Sequence, residues 1–261
     1  MTNKSFKGEW EMCQKDGLED LFLRECENIC LNESKFMNFK RNHIFTKIIG
    51  NDVRPKHTSD VWYTFLENTE MMENIEKYKT NDTFGNPSRY CYPKTGIISP
   101  GTLYFLSITH DINTRLVNIK DKKICEIGSG YGGQSKIFLD YGCQTVDLID
   151  RKQTLGLASK YLNMFGYENV CFHPTTNIPE KKYDIVVSNW CVSELDEEGA
   201  SFYLDNVIKN SQYGYFLTNY RSKEKKDWFI GELRKIYSNV IVEEENPKTN
   251  EKTNYAILCK K

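Results

Sequence analysis

A short apolar strand, Lys123-Ile-Cys-Glu-Ile127, runs into Gly128-Ser-Gly-Tyr-Gly-Gly133 and then into a helical pattern, and this junction constrains the chain more than any other stretch. Gly128, Gly130 and Gly132 lack a Cβ and can adopt φ > 0. The backbone can therefore turn tightly and present its N–H groups to a ligand at a helix N-terminus. The Gly-x-Gly-x-Gly spacing differs from the dinucleotide fingerprint Gly-x-Gly-x-x-Gly, although Gly133 restores that longer spacing. By themselves the glycines fit a nicotinamide cofactor or another adenosine-bearing ligand.

Glu126 tips that balance. A carboxylate just before the first glycine sits at the carboxyl end of the strand, facing the crevice where α/β sheets bind ligands. It would repel a pyrophosphate laid on the same turn, whereas S-adenosylmethionine carries an ammonium and a sulfonium and no phosphate. Downstream, Gly142 ends the helix and residues 143–150 read as a second strand finishing in Asp150. An acid about 20 residues past the glycine turn is placed to accept hydrogen bonds from ribose hydroxyls. Asp147, inside the strand, is the competing acid, and surface pairing of Asp150 with Arg151 or Lys152 is the competing role.

Strand and helix then alternate. Residues 170–173, 183–189 and 213–219 read as strands three to five, the fourth apolar enough for burial on both faces. Helical patterns cover 154–165 and 197–209, followed by a helix over 223–236 and two last strands, 240–243 and 254–259, joined by a breaker-rich turn. The expectation is a Rossmann-like, seven-stranded, doubly wound sheet over residues 111–261 with right-handed crossovers and a reversed last strand.

Residues 1–110 carry no glycine motif and read as a mainly helical cap. The clearest helix is expected over 59–78, capped by Ser59 or Asp60, with Val61, Trp62, Phe65, Leu66, Met72 and Ile75 as its apolar stripe. Weaker helices are expected over 16–30 and 38–49, and their apolar faces leave room for self-association. Residues 79–102 form a run of turn formers studded with aromatics, including Tyr90 and Tyr92, expected to cover the mouth of the site and bind the acceptor.

Composition narrows the partners. A formal net charge of −1, with no basic cluster beyond residues 223–226, gives no electrostatic footprint for nucleic acid. There is no apolar signal region and no stretch of membrane-spanning length, so a cytoplasmic protein is expected. The nine cysteines are odd in number and several fall in strands, as small buried hydrophobes do. Cys26 and Cys30 share a helix face, but no second Cys or His pair joins them, and no metal is expected.

Glu126-Ile-Gly-Ser-Gly-Tyr-Gly132 resembles the first motif of class I S-adenosylmethionine-dependent methyltransferases. The resemblance covers residues 120–261. It implies that Glu126, Gly128, Ser129, Gly130, Tyr131 and Gly132 receive the methionine part of the cofactor, with Asp150 and Arg151 at the ribose. Where many relatives place an acid near adenine, this chain has Pro174-Thr-Thr-Asn-Ile-Pro179, so Thr175, Thr176 or Asn177 would replace it; Asn189 follows at the end of the fourth strand. Residues 188–195, Ser-Asn-Trp-Cys-Val-Ser-Glu-Leu, are not the Asn-Pro-Pro-Tyr segment of enzymes that methylate nucleic acid bases. Together with Phe84-Gly-Asn-Pro87 and Glu245-Asn-Pro247, they make the chain similar to a family of sugar O-methyltransferases encoded with bacterial surface-polysaccharide genes.

That narrower resemblance implies a sugar hydroxyl as acceptor, on a nucleotide-activated sugar or heptose. Glu194 is then the first choice of general base and His173 the second, because a part-buried carboxylate or an imidazole can titrate near neutrality. Their competing roles are a helix cap near Asp196 and a strand-end residue beside Pro174. Trp190, Asn219, Tyr220 and Arg221 are the expected acceptor contacts. Leu217-Thr-Asn-Tyr220 offers no acid pair for a divalent metal, which favours a metal-independent mechanism. The alternatives are methylation of another small molecule or a protein side chain, and a binding module without turnover.

Overall fold

In a computed structural model, residues 17–220, 222–249 and 254–261 are described. The sheet comprises β1 (Lys123–Ile127), β2 (Thr145–Asp150), β3 (Val170–Pro174), β4 (Tyr183–Asn189), β5 (Ser211–Thr218), β6 (Asn239–Glu244) and β7 (Tyr255–Lys260). Their spatial order is β3-β2-β1-β4-β5-β7-β6. β1 to β5 run parallel, and β7 lies antiparallel between β5 and β6. The order reverses between β1 and β4, so their carboxyl ends open the crevice in which such sheets bind ligands.

The longer helices up to the third strand are α1 (Leu18–Leu31), α2 (Lys56–Leu66), α3 (Pro100–Arg115), α4 (Gly133–Tyr141) and α5 (Lys152–Asn163). α6 (Glu197–Asn206) and α7 (Lys223–Ile236) follow. Ile124, Val146, Leu148 and Val187 pack on one face of the sheet with Leu106, Phe138, Leu157 and the cap residues Phe22 and Trp62. On the other face Cys125, Ile149, Val186 and Phe216 meet Leu204, Phe229 and Leu233 of α6 and α7. Each such side chain contributes about 1.5–3 kcal/mol on full burial. Both faces of a parallel sheet need covering, which explains the continuous apolar centre Ile185-Val186-Val187 of β4.

The helical cap is more broken than its periodicity implies. Residues 59–78 form α2 and two short helices, Glu70–Glu73 and Ile75–Lys79. The run is interrupted at Asn68-Thr69 and at Asn74; the Thr69 hydroxyl donates to Leu66 O at 2.8 Å, a local side-chain bond that competes with the helix ladder. α2 starts after Pro55, and Ser59 is inside the helix, its hydroxyl 2.6 Å from that of Tyr92. Residues 38–49 likewise reduce to Phe39–Arg41 and Phe45–Ile48. Within 79–102 there is a hairpin, Tyr90–Tyr92 with Gly96–Ile98.

The turn-like Ser99-Pro100-Gly101-Thr102 is the start of α3. Ser99 Oγ accepts from the Thr102 N–H at 3.1 Å, and Pro100 occupies the first helical position, where its missing N–H costs nothing. α3 runs through positions 110 and 111, so cap and sheet join within a helix. No helix among the described residues is long and apolar enough to cross a membrane.

Candidate active site

The glycine turn takes the backbone conformation its residues allow. Gly128, Gly130 and Gly132 have φ of 77°, 55° and 85°. A Cβ on Gly128 would lie 2.3 Å from Cys191 Cβ, so bare backbone lets the turn seat against the end of β4. Tyr131 anchors the turn to the cap. Its hydroxyl donates to Asp52 Oδ2 at 2.8 Å, and Asp52 Oδ1 lies 3.5 Å from the buried Lys40 ammonium, which stands 4.7 Å from the centre of the Tyr131 ring. Burial pushes the Asp52 carboxyl up, while Lys40 and Tyr131 pull it down.

Two buried carboxylates face this turn. Glu126 is 2% exposed and accepts from Ser135 Oγ. Burial pushes its pKa up to about 8, the Ser135 bond opposing and the nearby Asp150 charge adding. Asp150 accepts from the Gly130 N–H at 2.9 Å and the Arg151 N–H at 2.7 Å, which ties the glycine turn to β2. Its carboxyl rises to about 6 through burial, offset by those two bonds. Asp147 points to the opposite face of the sheet, where it meets His173 and Lys181.

Both acids line a cavity of about 260 Å³ at the carboxyl ends of β1, β2 and β4. Gly128, Ser129, Gly130, Tyr131, Arg151 and Asn189 share that lining, as do Trp190, Glu194 and Asn219. The buried Ser129 Oγ and Asn189 Oδ1 have no hydrogen-bond partner among the described residues. Trp190 adopts φ 71°, rare for an aromatic residue, and its indole N–H donates to Tyr104 Oη at 2.7 Å. The short helix Cys191–Glu194 follows. Asn219 accepts from Ser193 Oγ at 2.9 Å and its amide donates to Glu194 Oε1 at 3.3 Å, so the ends of β4 and β5 hold the Glu194 carboxylate at the cavity. The cap role near residue 196 belongs to Asp196, whose side chain accepts from the Gly199 N–H.

Several expected site residues lie elsewhere. His173 is on the far face with Asp147, because strand alternation turns it away from the glycine loop. Thr175 and Thr176 follow β3 outside the cavity lining, Thr175 bonded through its N–H to Asp150 O. Gly132 backs onto Leu162 rather than the cavity. Tyr90 donates to Arg54 O, and Tyr92 stacks on Tyr63 at 4.7 Å, so packing within the cap consumes both. Tyr220 packs against Phe229. Arg221 lies outside the described residues.

The cap supplies lining that sequence reading missed. Glu19 and Phe22 of α1 and Ile49, Asn51 and Arg54 of the following loop close one side, with a 2.6 Å Glu19–Arg151 ion pair beside Asp150. Tyr104 and Phe105 of α3 form another wall. The Ser99-Pro100 start signal could have placed these two on a helix. Gln134 donates to Phe105 O at 3.2 Å and Thr109 Oγ1 at 3.0 Å, fixing α4 against α3.

No family profile matches this chain, and no curated protein matches it. Among solved structures it is similar to the methyltransferase domain of bacterial CtHen1, at 13% identity over 60% of this chain and 97% of that one, with a TM-score of 0.48. It is also similar to ribosomal protein L11 methylase from Lactobacillus delbrueckii subsp. bulgaricus, at 13% identity over 62% and 81% of the two chains and a TM-score of 0.45. A third is the S-adenosylmethionine dependent methyltransferase from Mesorhizobium loti, at 10% identity over 58% and 96% and a TM-score of 0.44.

Proposed function

We propose that the chain is an S-adenosylmethionine-dependent O-methyltransferase whose acceptor is a hydroxyl of a sugar, carried on a nucleotide or a comparable small molecule. The observation that carries this reading is Glu126, a buried carboxylate in the cavity wall next to a bare glycine turn. Among the described residues Glu126 forms no ion pair; its one side-chain partner is the Ser135 hydroxyl. A cationic ligand group would complete that site. A pyrophosphate on the same turn would face both Glu126 and Asp150 and be repelled.

The residues present suit that cofactor. Glu126, Gly128, the unpartnered Ser129 hydroxyl and Gly130 would hold the methionine end, and Asp150 keeps lone pairs for ribose hydroxyls beyond its two backbone bonds. When bound, S-adenosylmethionine supplies an electrophilic methyl on a sulfonium. Glu194, steadied by Asn219, is placed to take the proton of an acceptor hydroxyl, and Asn189 Oδ1 is free to accept from a second. The Trp190 indole offers a flat apolar face for a sugar ring, and α1 with residues 48–54 keeps water from that side.

The reading carries a pH dependence. The free Glu126 carboxyl, near 8, binds a proton at neutrality, whereas a bound ammonium favours its ionised form and lowers that value. Between pH 5.5 and 6.5, where an α-amino group stays almost fully protonated, cofactor affinity should rise by up to about tenfold per pH unit. Calorimetry in buffers of different ionisation enthalpy should register the proton released; a flat affinity without release contradicts the assignment.

The acceptor is tested with methyl-labelled cofactor and a panel of nucleotide sugars, the methyl being located by mass spectrometry. Label on a sugar hydroxyl is the expected result. Label confined to another small molecule or to protein would retain the methyltransferase and overturn the sugar.

A further inference from the structure

Outside the candidate active site, a second group of chemistry-bearing side chains lies on the opposite face of the sheet, where β2 meets the edge strand β3. Asp147 and Cys171 are directly opposed in register, and His173 follows two residues on along the same face. The carboxylate oxygen, the thiol sulfur and an imidazole nitrogen all lie within 4.8 Å of one another. His173 Nε2 is 2.8 Å from Asp147 Oδ2, which also receives the Lys181 ammonium at 2.7 Å and the buried Tyr183 hydroxyl at 3.2 Å.

This is a peculiar place for such residues, since both faces of a parallel sheet are normally covered by apolar helices. The connection from β3 to β4 contains no helix. Residues 175–182 cross instead as an extended loop, and on this side of β2 and β3 the sheet presents Asp147, Cys171 and His173 where apolar side chains would otherwise sit. Cys171 is exposed, His173 half-buried and Asp147 buried, so the cluster has a solvent-facing side and a fixed base.

We infer that Asp147, Cys171 and His173 form a binding site for a borderline divalent transition metal of the zinc type, with a fourth position open to water. One thiolate, one imidazole and one carboxylate is a donor set suited to Zn²⁺, and rotamer adjustment closes the present separations to a tetrahedral edge of about 3.5 Å. Tyr183 hydrogen-bonds the carboxylate ligand from behind and would hold its orientation. Binding displaces the Lys181 ammonium from Asp147 and releases the Cys171 thiol proton to solvent, so two anionic ligands balance the dication. Bound there, the ion clamps β3 to β2. It lies on the sheet face opposite the glycine turn and takes no part in methyl transfer.

The test is titration of Co²⁺ into the reduced, metal-free full chain under anaerobic conditions. The expected result is a thiolate-to-cobalt charge-transfer band with tetrahedral d–d bands, saturating at one equivalent and bleached by Zn²⁺. Cys171→Ser, at an exposed position, and His173→Ala should each abolish the bands. Lys181→Ala should keep them and tighten binding, because it removes the competing cation; a residue that served only the ion pair could not produce that gain. Cys26→Ser with Cys30→Ser should change nothing. Absent bands, bands that survive Cys171→Ser, or bands lost with Cys26 and Cys30 would overturn the site.

Discussion

Glu126→Gln should weaken S-adenosylmethionine binding by about 10²-fold while making the free protein more heat-stable. Removing one member of a buried, hydrogen-bonded charge pair costs about 2–5 kcal/mol, and part of that is recovered because the wild-type carboxylate must first lose a proton. The stability change has the opposite sign. The folded carboxyl titrates near 8 and the unfolded one near 4.5, so the folded state holds a proton that the unfolded state releases between those values. Wild-type stability therefore declines as pH rises through that window, and glutamine removes the decline. At pH 8 the variant's Tm should rise by about 2–4 °C for each kcal/mol recovered, whereas the cofactor-induced Tm shift at a fixed cofactor concentration should shrink. A variant that binds normally, or melts lower at pH 8, contradicts the role given to Glu126.

Glu194→Gln should lower kcat by roughly 10²–10⁴ with the cofactor Kd unchanged, the loss expected when a positioned general base is removed. Glutamine preserves the shape and the contact with the Asn219 amide oxygen or nitrogen, so the fold of the β4 and β5 ends should persist. His173→Ala should leave turnover near wild type, because its imidazole is engaged with Asp147 on the other side of the sheet. Steady-state rates measured with a saturating acceptor, alongside calorimetric Kd values, separate the two. Full activity in Glu194→Gln would remove it from the chemistry.

What could be read from the chain alone follows the range of the forces involved. Glu126, the glycines and Asp150 belong to a strand, turn and strand whose conformation is set within a few residues. Their grouping in one cavity therefore follows from local pattern plus parallel pairing. The sheet order rests on the same alternation. His173 illustrates the limit: adjacency to a strand end suggested the crevice, but period-2 alternation and its register opposite Ile149 put it on the face shared with Asp147. For Tyr90 and Tyr92 the composition of the segment points to acceptor contacts, whereas tertiary packing engages them with Arg54, Ser59 and Tyr63. The cap's contribution of Glu19, Asn51 and Arg54 to the cavity depends on long-range docking of α1 and residues 48–54, which no local pattern encodes. The start of α3, by contrast, is encoded locally, in Ser99-Pro100.

Calorimetric titration of the wild-type chain at pH 7.5 with S-adenosylmethionine and, separately, with NAD decides whether this glycine turn with Glu126 serves a sulfonium cofactor or a dinucleotide. One saturable site for S-adenosylmethionine is expected, with much weaker or no binding of NAD. Tighter binding of NAD would contradict the sulfonium cofactor.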